Sequence, residues 1–212
     1  MLADAVRWIV ANPGTFLAAL QQHLLMSGVS LGLAILIAVP LGVLLTRYPR
    51  SAFLAINGVN ALRTMPSLAV LAIMLPLLGI GFAPSVVALV LLAFPPILMN
   101  TYVGVREVDP DVIDAATGMG MTTAETILKV EVPLAAPAIF AGVRTSAVQV
   151  IAGATLAAFI GGGGLGDFIT AGIAIMDMPR LLVGAVPIAA LAIGTELLFA
   201  GLERAMFGRV RG

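Results

Sequence analysis

The stretch LLMSGVSLGLAILIAVPLGVLLT, residues 24–46, contains no charged side chain and is long enough to cross a lipid bilayer. A spanning helix needs about 20 predominantly apolar residues. Similar segments recur along the chain, and we predict further spans at residues 57–79, 84–105, 134–160 and 181–203. The segment 165–178 is too short and too charged to span, so we expect a re-entrant or surface helix there.

The composition of the whole chain supports a membrane protein. Its 212 residues are 60% hydrophobic and 10% charged, with a mean hydropathy of +1.11. A soluble domain carries about 25% charged residues. The formal net charge is zero, which argues against nucleic acid as a partner. The chain has no cysteine and a single histidine, His23, so we predict no metal site.

Basic residues outside the spans predict the orientation of the chain. Cytoplasmic loops are enriched in Lys and Arg. With five spans, three regions share one side, and they carry Arg47, Arg50, Arg106, Lys129, Arg204, Arg209 and Arg211. The opposite side carries only Arg7 and Arg180. We therefore predict that the N-terminus lies outside and the C-terminus lies in the cytoplasm. Before the first span we expect a short interfacial helix, with Trp8 near the lipid headgroups and a break at 12–14.

The cytoplasmic loop at 106–133 has its own helix signals. Asp109 followed by Pro110 predicts the start of a short helix that runs to about Gly118. Glycines at 118 and 120 should break it. Thr122 and Glu125 have the spacing of a capping box, so a second short helix begins there. Pro133 marks the entry to the fourth span. The loop presents small or pliable side chains, namely Ala115, Ala116, Met119 and Met121. From these features alone, an ordinary connector remains the alternative.

The spacing of this loop resembles the EAA loop of ABC importer permeases. That pattern is E-A-A, three residues, G, nine residues, I-x-L-P. Here it reads Asp114-Ala115-Ala116, Gly120, Val130 and Val132-Pro133, with conservative departures at 114, 130 and 132. The resemblance implies that the loop docks on a cytoplasmic ATPase subunit. It implies the following coupling residues: Asp114, Ala115, Ala116, Gly118, Met119, Gly120, Met121 and Pro133.

Longer stretches look like the osmoprotectant branch of these permeases. They are RTMPSLAVLAIMLPLLGIG (63–81), FPPILMNTYVGVREVDPDVIDAATGMGMT (94–122) and GGGGLGDFITAGI (161–173). Methionine-type permeases share the glycine-rich stretch. The resemblance implies an all-α, type I importer fold and a substrate such as glycine betaine, choline or carnitine. The 6% aromatic content offers no aromatic cage for such a cation.

The same resemblance implies partners and a location. These are an ATPase dimer that binds ATP and Mg, a second permease subunit (this chain or a paralogue), and an extracytoplasmic solute-binding protein. The location is a bacterial or archaeal inner or plasma membrane. The chain itself is expected to be no enzyme and to bind no cofactor, and its sequence lacks a phosphate-binding G-x-x-x-x-G-K-[ST] run. The alternatives are a methionine or amino-acid importer permease, a self-standing secondary transporter or channel, and an intramembrane enzyme.

Two polar clusters near helix-distorting prolines are candidates for a translocation path or gate. They are Arg63, Thr64, Pro66 and Ser67, and then Asn100, Thr101 and Tyr102. The alternative is that they bond neighbouring helices together.

Two charges fall at comparable depth within the spans. Arg144 and Glu196 could pair between the fourth and fifth spans, or either could line the path. On the external side, the segment 161–180 is glycine-rich. Its hinge or docking candidates are Gly161, Gly162, Gly163, Gly164 and Asp167; the alternative is a flexible connector.

Overall fold

A computed structural model describes residues 1–208, and its regular secondary structure over that range is entirely helical. The α-helices are α1 (Leu2–Ala11), α2 (Pro13–Leu45), α3 (Pro49–Thr64), α4 (Ser67–Leu78), α5 (Phe82–Arg106), α6 (Pro110–Gly118), α7 (Thr123–Thr126), α8 (Val132–Gly153), α9 (Gly166–Ala174) and α10 (Met178–Phe207). A π-helical turn (Ile127–Glu131) precedes α8 and a 3-10 segment (Ala154–Ile160) follows it. Arg209 and Arg211, which entered the orientation argument, lie outside the described residues.

Four helices are long and apolar enough to cross a membrane, and a bent pair adds a fifth. The four are α2, α5, α10 and the continuous run Thr123–Ile160. This agrees with the prediction of about five spans. The third and fifth predicted spans are confirmed as α5 and α10, each with ends within a few residues. The short segment at 165–178 forms only the nine-residue α9.

The first span begins earlier than predicted. Pro13 starts α2 eleven residues before the predicted start at 24, so that boundary is wrong. Two polar residues of this added stretch have hydrogen-bond partners inside the protein, although His23 Nδ1 has none among the described residues. Gln22 Nε2 donates to the Gly162 carbonyl at 2.8 Å, and His23 Nε2 lies 3.0 Å from the Ile151 carbonyl. Polar groups with internal partners are tolerated in a spanning helix.

The predicted second span, 57–79, is not one helix. α3 and α4 meet at an angle of 101°. Met65 adopts an extended conformation, as expected for a residue before proline, and Pro66 is also extended. The backbone therefore leaves the helix for two residues and turns sharply. The prediction treated Pro66 as a kink, whereas the chain uses it to separate two helices.

Close packing of α2, α5 and α8 forms the centre of the molecule. Gly42 of α2 lies directly against Thr101, and Gly142 of α8 lies against the Pro96 carbonyl and Asn100. A Cβ built on either glycine would approach α5 to 2.8 Å. Small residues allow helices in lipid to approach closely, which is the main source of their packing energy.

The N-terminal helix packs against α9 and α10. α1 contacts α10, and the Trp8 ring meets Phe168 of α9 edge-on, with ring centroids 5.1 Å apart. The predicted break at 12–14 is present, since α1 ends at Ala11 and α2 starts at Pro13.

Candidate functional site

The loop between α5 and α8 has the local structure that its sequence predicts. Asp109 caps α6, because its Oδ1 accepts from the backbone N–H of Asp111 at 2.9 Å. α6 ends at Gly118, and Gly120 takes a left-handed conformation with φ +87°. Gly118 itself is helical, so the break is made by Gly120 and not by both glycines. A left-handed turn of this kind favours glycine.

The second helix of the loop does not end before the span. Thr122 and Glu125 form the predicted capping box, with backbone-to-side-chain distances of 3.0 and 3.3 Å. The helix then continues through the π-helical turn directly into α8, and Pro133 lies in the first turn of α8. The prediction that Pro133 marks the entry to the fourth span agrees with the start of α8 at Val132, although no break in the helix precedes it. Proline near a helix start removes no essential hydrogen bond, and here the π-turn relaxes the backbone around it.

Most of the predicted coupling residues form an exposed surface at the end of α6. Asp114, Ala115, Gly118 and Gly120 are exposed, and Met119 is 76% exposed. Ala116 is only 2% exposed, so the expectation that the loop presents it is wrong. Met121 is half-buried and Pro133 is exposed. Sequence reasoning missed Val112 and Leu128, which are exposed apolar side chains on the same loop.

A partly buried ion pair joins this loop to the end of α2. Arg47 donates to both carboxylate oxygens of Glu131, which is 1% exposed. The two residues are 84 positions apart, so no spacing in the sequence could reveal the pair. The pair places the π-helical turn against the α2–α3 connection.

The break between α3 and α4 forms one wall of a cavity of about 240 Å³, which we call the elbow cavity. α5 and α8 form the other walls. Two of the predicted path residues, Arg63 and Ser67, line this cavity together with Gln149, which sequence reasoning missed. Thr64 does not line it and bonds its own helix at the Ala61 carbonyl, 2.7 Å away. Pro66 shapes the break without lining the cavity.

The second predicted path cluster lies elsewhere. Asn100 donates to the Pro96 carbonyl at 2.8 Å, and Thr101 is fully buried against Gly42. The Tyr102 hydroxyl accepts from Arg106 at 3.0 Å. The structure places this cluster at the packed interface of α2, α5 and α8, away from the elbow cavity. Both hydrogen bonds lie within α5, and the Thr101 hydroxyl has no partner among the described residues, so the structure shows close packing here but no hydrogen bond from this cluster to a neighbouring helix.

The structure brings Arg144 and Glu196 together and adds a third charge. Arg144 Nε lies 3.0 Å from Glu196 Oε1, and its Nη1 lies 2.7 Å from Glu203 Oε2. Sequence reasoning missed Glu203. The sequence did contain a signal for Glu203. It lies seven positions after Glu196, and residues seven apart on a helix lie on one face.

The glycine-rich segment is fastened to α2. Gly161, Gly163 and Gly164 have positive φ angles of 70°, 74° and 88°. A Cβ on Gly163 would collide with the Gln22 side chain, and Gly164 packs on His23. Asp167 is exposed, and partial desolvation raises the pKa of its carboxyl. Among residues 1–208, no group of three or more His, Cys, Asp or Glu side chains is placed to hold a metal ion.

A packed bundle of helices that are long and apolar enough to cross a bilayer defines an integral membrane protein. The chain belongs to the family described as binding-protein-dependent transport system inner membrane component, whose profile matches residues 11–208. It is 46% identical over 199 residues to the choline transport system permease protein OpuBB of Bacillus subtilis (strain 168), covering 94% of this chain and 92% of that protein. It is 45% identical to the glycine betaine/carnitine/choline transport system permease protein OpuCB of the same organism, covering 93% and 91%.

Solved structures share the fold. The chain superposes on a subunit of the MetNI methionine ABC transporter, in an inward-facing conformation, with a TM-score of 0.81 and 23% identity, covering 90% of this chain and 95% of that one. It also superposes on a chain of an amino acid ABC transporter solved with histidines, with a TM-score of 0.73, 21% identity, and coverage of 95% and 96%. The fold is that of a type I ABC importer permease.

Proposed function

We propose that this chain is the permease subunit of an ATP-driven importer that moves a quaternary-ammonium osmoprotectant into the cytoplasm by alternating access. The observation that carries the proposal is its similarity, at 45–46% identity over more than nine-tenths of the chain, to permeases named for choline, glycine betaine and carnitine transport. The methionine and amino-acid transporters match it at 21–23% identity, which supports the fold alone.

The energy for transport comes from partner subunits. Two cytoplasmic ATPases bind ATP and Mg, two permease subunits enclose the path, and an extracytoplasmic binding protein delivers the solute. The exposed surface formed by Asp114, Ala115 and Met119 at the end of α6 supports docking of an ATPase there. The cell is a bacterium or archaeon, and the membrane is its inner or plasma membrane.

The geometry of the loop suggests how movement reaches the spans. α7, the π-helical turn and α8 form one continuous helix, so a displacement of the docking surface moves α8 directly. The Arg47–Glu131 pair also transmits this displacement to the end of α2. α2 and α8 both pack against α5, which forms a wall of the elbow cavity. Closure of the ATPases on ATP binding thereby opens that cavity to one side of the membrane or the other.

The test is co-purification with the ATPase encoded beside the permease, together with uptake in a host that lacks its own osmoprotectant importers. The loop variant is Gly120→Asp, which strains a left-handed turn and adds a charge to the docking surface. The matched control is Ser51→Asp, an exposed position outside the loop on the same predicted side.

We expect wild type and Ser51→Asp to retain the ATPase and to take up labelled glycine betaine, carnitine or choline. Gly120→Asp should reach the membrane in normal amount but lose both properties. If wild type retains no ATPase, or takes up none of the three solutes, the proposed function is wrong.

A further inference from the structure

We propose that the elbow cavity holds the carboxylate end of a zwitterionic solute, and that Arg63 makes it selective for that end. The elbow cavity is the space between the α3–α4 break, α5 and α8 described above. The inference rests on the proposed function for the identity of the solute. The inference adds a binding site to the proposed function. It also adds a preference for those solutes that carry a carboxylate, among the solutes for which the related permeases are named.

The cavity lies beside the central part of α5. Its α5 wall runs from Ala88 to Pro96, which is the central part of a span that begins at Phe82 and ends at Arg106. The opposite wall includes Gln149 and Gly153 of α8. A solute that crosses this bundle must pass that depth.

Three of the residues that line the cavity have polar side chains, and all three are able to donate hydrogen bonds. They are Arg63, Ser67 and Gln149. Among the lining residues within 1–208, none is acidic and none is aromatic. Arg63 forms no salt bridge within that range. The cavity therefore carries a positive charge that the described part of the chain does not neutralise.

Two of these polar side chains are exposed on the surface of the isolated subunit. Arg63 and Gln149 are exposed, although they lie beside the central part of α5. A charged group facing hydrocarbon at that depth is costly, and such groups normally face a water-filled space or a partner subunit. We infer that the cavity opens onto the aqueous path between permease subunits.

The chemistry of this lining suits one end of the solute better than the other. A quaternary ammonium group is held by aromatic faces, and the cavity offers a cation instead. A carboxylate accepts strong, charge-assisted hydrogen bonds from arginine. Glycine betaine and carnitine carry a carboxylate and choline does not, so the cavity favours the first two.

The test exploits the absence of cysteine from the chain. A single reporter, Ser67→Cys, is introduced into the full transporter with its ATPase and partner permease, and labelling is read on this permease. The reaction rates of an anionic and a cationic methanethiosulfonate reagent of similar size are compared. The same ratio is measured with Arg63→Gln, with Arg63→Lys, and with Arg50→Gln as a matched arginine at the other end of α3.

We expect both reagents to reach the reporter and the anionic one to be favoured. Arg63→Gln should lower the anionic-to-cationic ratio by roughly fivefold or more, as loss of one nearby charge in a partly hydrated site predicts. Arg63→Lys should preserve the ratio and Arg50→Gln should not change it. A reporter that reacts with neither reagent, or a ratio that Arg63→Gln leaves unchanged, overturns the proposal.

A second measurement uses the solutes themselves. Glycine betaine should slow labelling of the reporter more than an equal concentration of choline does, and Arg63→Gln should abolish that difference. Equal protection by both solutes, or protection by neither, counts against the site. The reagent ratio requires no transport, so it can fail while uptake is normal, which separates this proposal from the proposed function.

Discussion

The guanidinium of Arg47 donates to both carboxylate oxygens of Glu131 and so joins the end of α2 to the base of the 106–133 loop. Glu131 is almost completely buried, whereas the Arg47 side chain is 35% exposed. A loop movement that displaces Glu131 must either move Arg47 with it or break the pair. Breaking it would leave a buried carboxylate without a partner, which is strongly unfavourable.

Loss of Arg47 should therefore destabilise the protein more than loss of Glu131. We expect Arg47→Gln to lower the free energy of unfolding by about 2–3 kcal/mol, discounted for the partial exposure of the arginine. Glu131→Gln should cost less, because it leaves an amide instead of a buried charge. The measurement is thermal unfolding in detergent. The double variant should cost less than the sum of the two; strict additivity would show that the pair is not coupled.

Lys129→Gln serves as the control for the same stretch. Lys129 pairs with Glu125 at 2.8 Å, but both side chains are exposed and the pair lies within one helix. Exposed pairs of this kind contribute little. Its unfolding temperature should match wild type.

The cluster of Arg144, Glu196 and Glu203 should tolerate the loss of either acid but not both. Each carboxylate alone still gives Arg144 a partner, as the distances of 3.0 and 2.7 Å indicate. Glu196→Gln and Glu203→Gln should each be present in the membrane at near wild-type levels, and the double variant should be much reduced. Fluorescence-detected size exclusion of tagged protein measures this. Normal levels of the double variant would show that Arg144 needs neither acid.

Two glycines on α2 should respond in opposite ways to alanine. A Cβ at Gly42 would lie 2.8 Å from Thr101 and 3.1 Å from the Leu98 carbonyl, whereas a Cβ at Gly32 meets nothing within 4 Å. Gly42→Ala should cost about 1–3 kcal/mol through overpacking. Gly32→Ala should be neutral or slightly stabilising, since alanine favours the helix. Thermal unfolding of the two variants tests this, and equal effects would refute close α2–α5 contact.

The proline before α4 and the proline within it should also differ in effect. Pro66 separates α3 from α4, while Pro76 lies within α4 without interrupting it. Pro66→Ala removes the restriction on Met65 and permits a continuous helix, so the elbow cavity should be lost. We expect uptake of labelled glycine betaine to fall at least severalfold for Pro66→Ala, with protein levels maintained, and to stay near wild type for Pro76→Ala. Equal uptake by both variants would show that the break is not needed for transport.

Local features of the fold were accessible from sequence because their causes are local. Apolar length predicts the spans, the Asp109-Pro110 pair predicts the start of α6, and Thr122 with Glu125 predicts the capping box. The start of the first span was predicted wrongly in a stretch where polar side chains have distant partners. Gln22 and His23 lie within α2, where they contact the Gly162 and Ile151 carbonyls, and those partners lie more than a hundred residues away.

The candidate site was only partly predictable for the same reason. Arg63 and Ser67 were identified from their position beside a proline, but nothing local connects them with Gln149 on α8. Asn100 and Thr101 also lie near prolines, but they belong to the packed interface of α2, α5 and α8. Proline proximity marks distorted backbone without indicating which side of it faces an open space.

By itself, the sequence determined that this is a membrane protein with about five spans. It also determined that one loop carries a helix, a left-handed glycine turn and a capped second helix. Those properties depend on burial of apolar length and on hydrogen bonds between near neighbours. The tertiary structure alone decided the 101° bend between α3 and α4, the Arg47–Glu131 pair and the elbow cavity. Each of these depends on which helices approach one another, and that choice is made by packing between segments far apart in the chain.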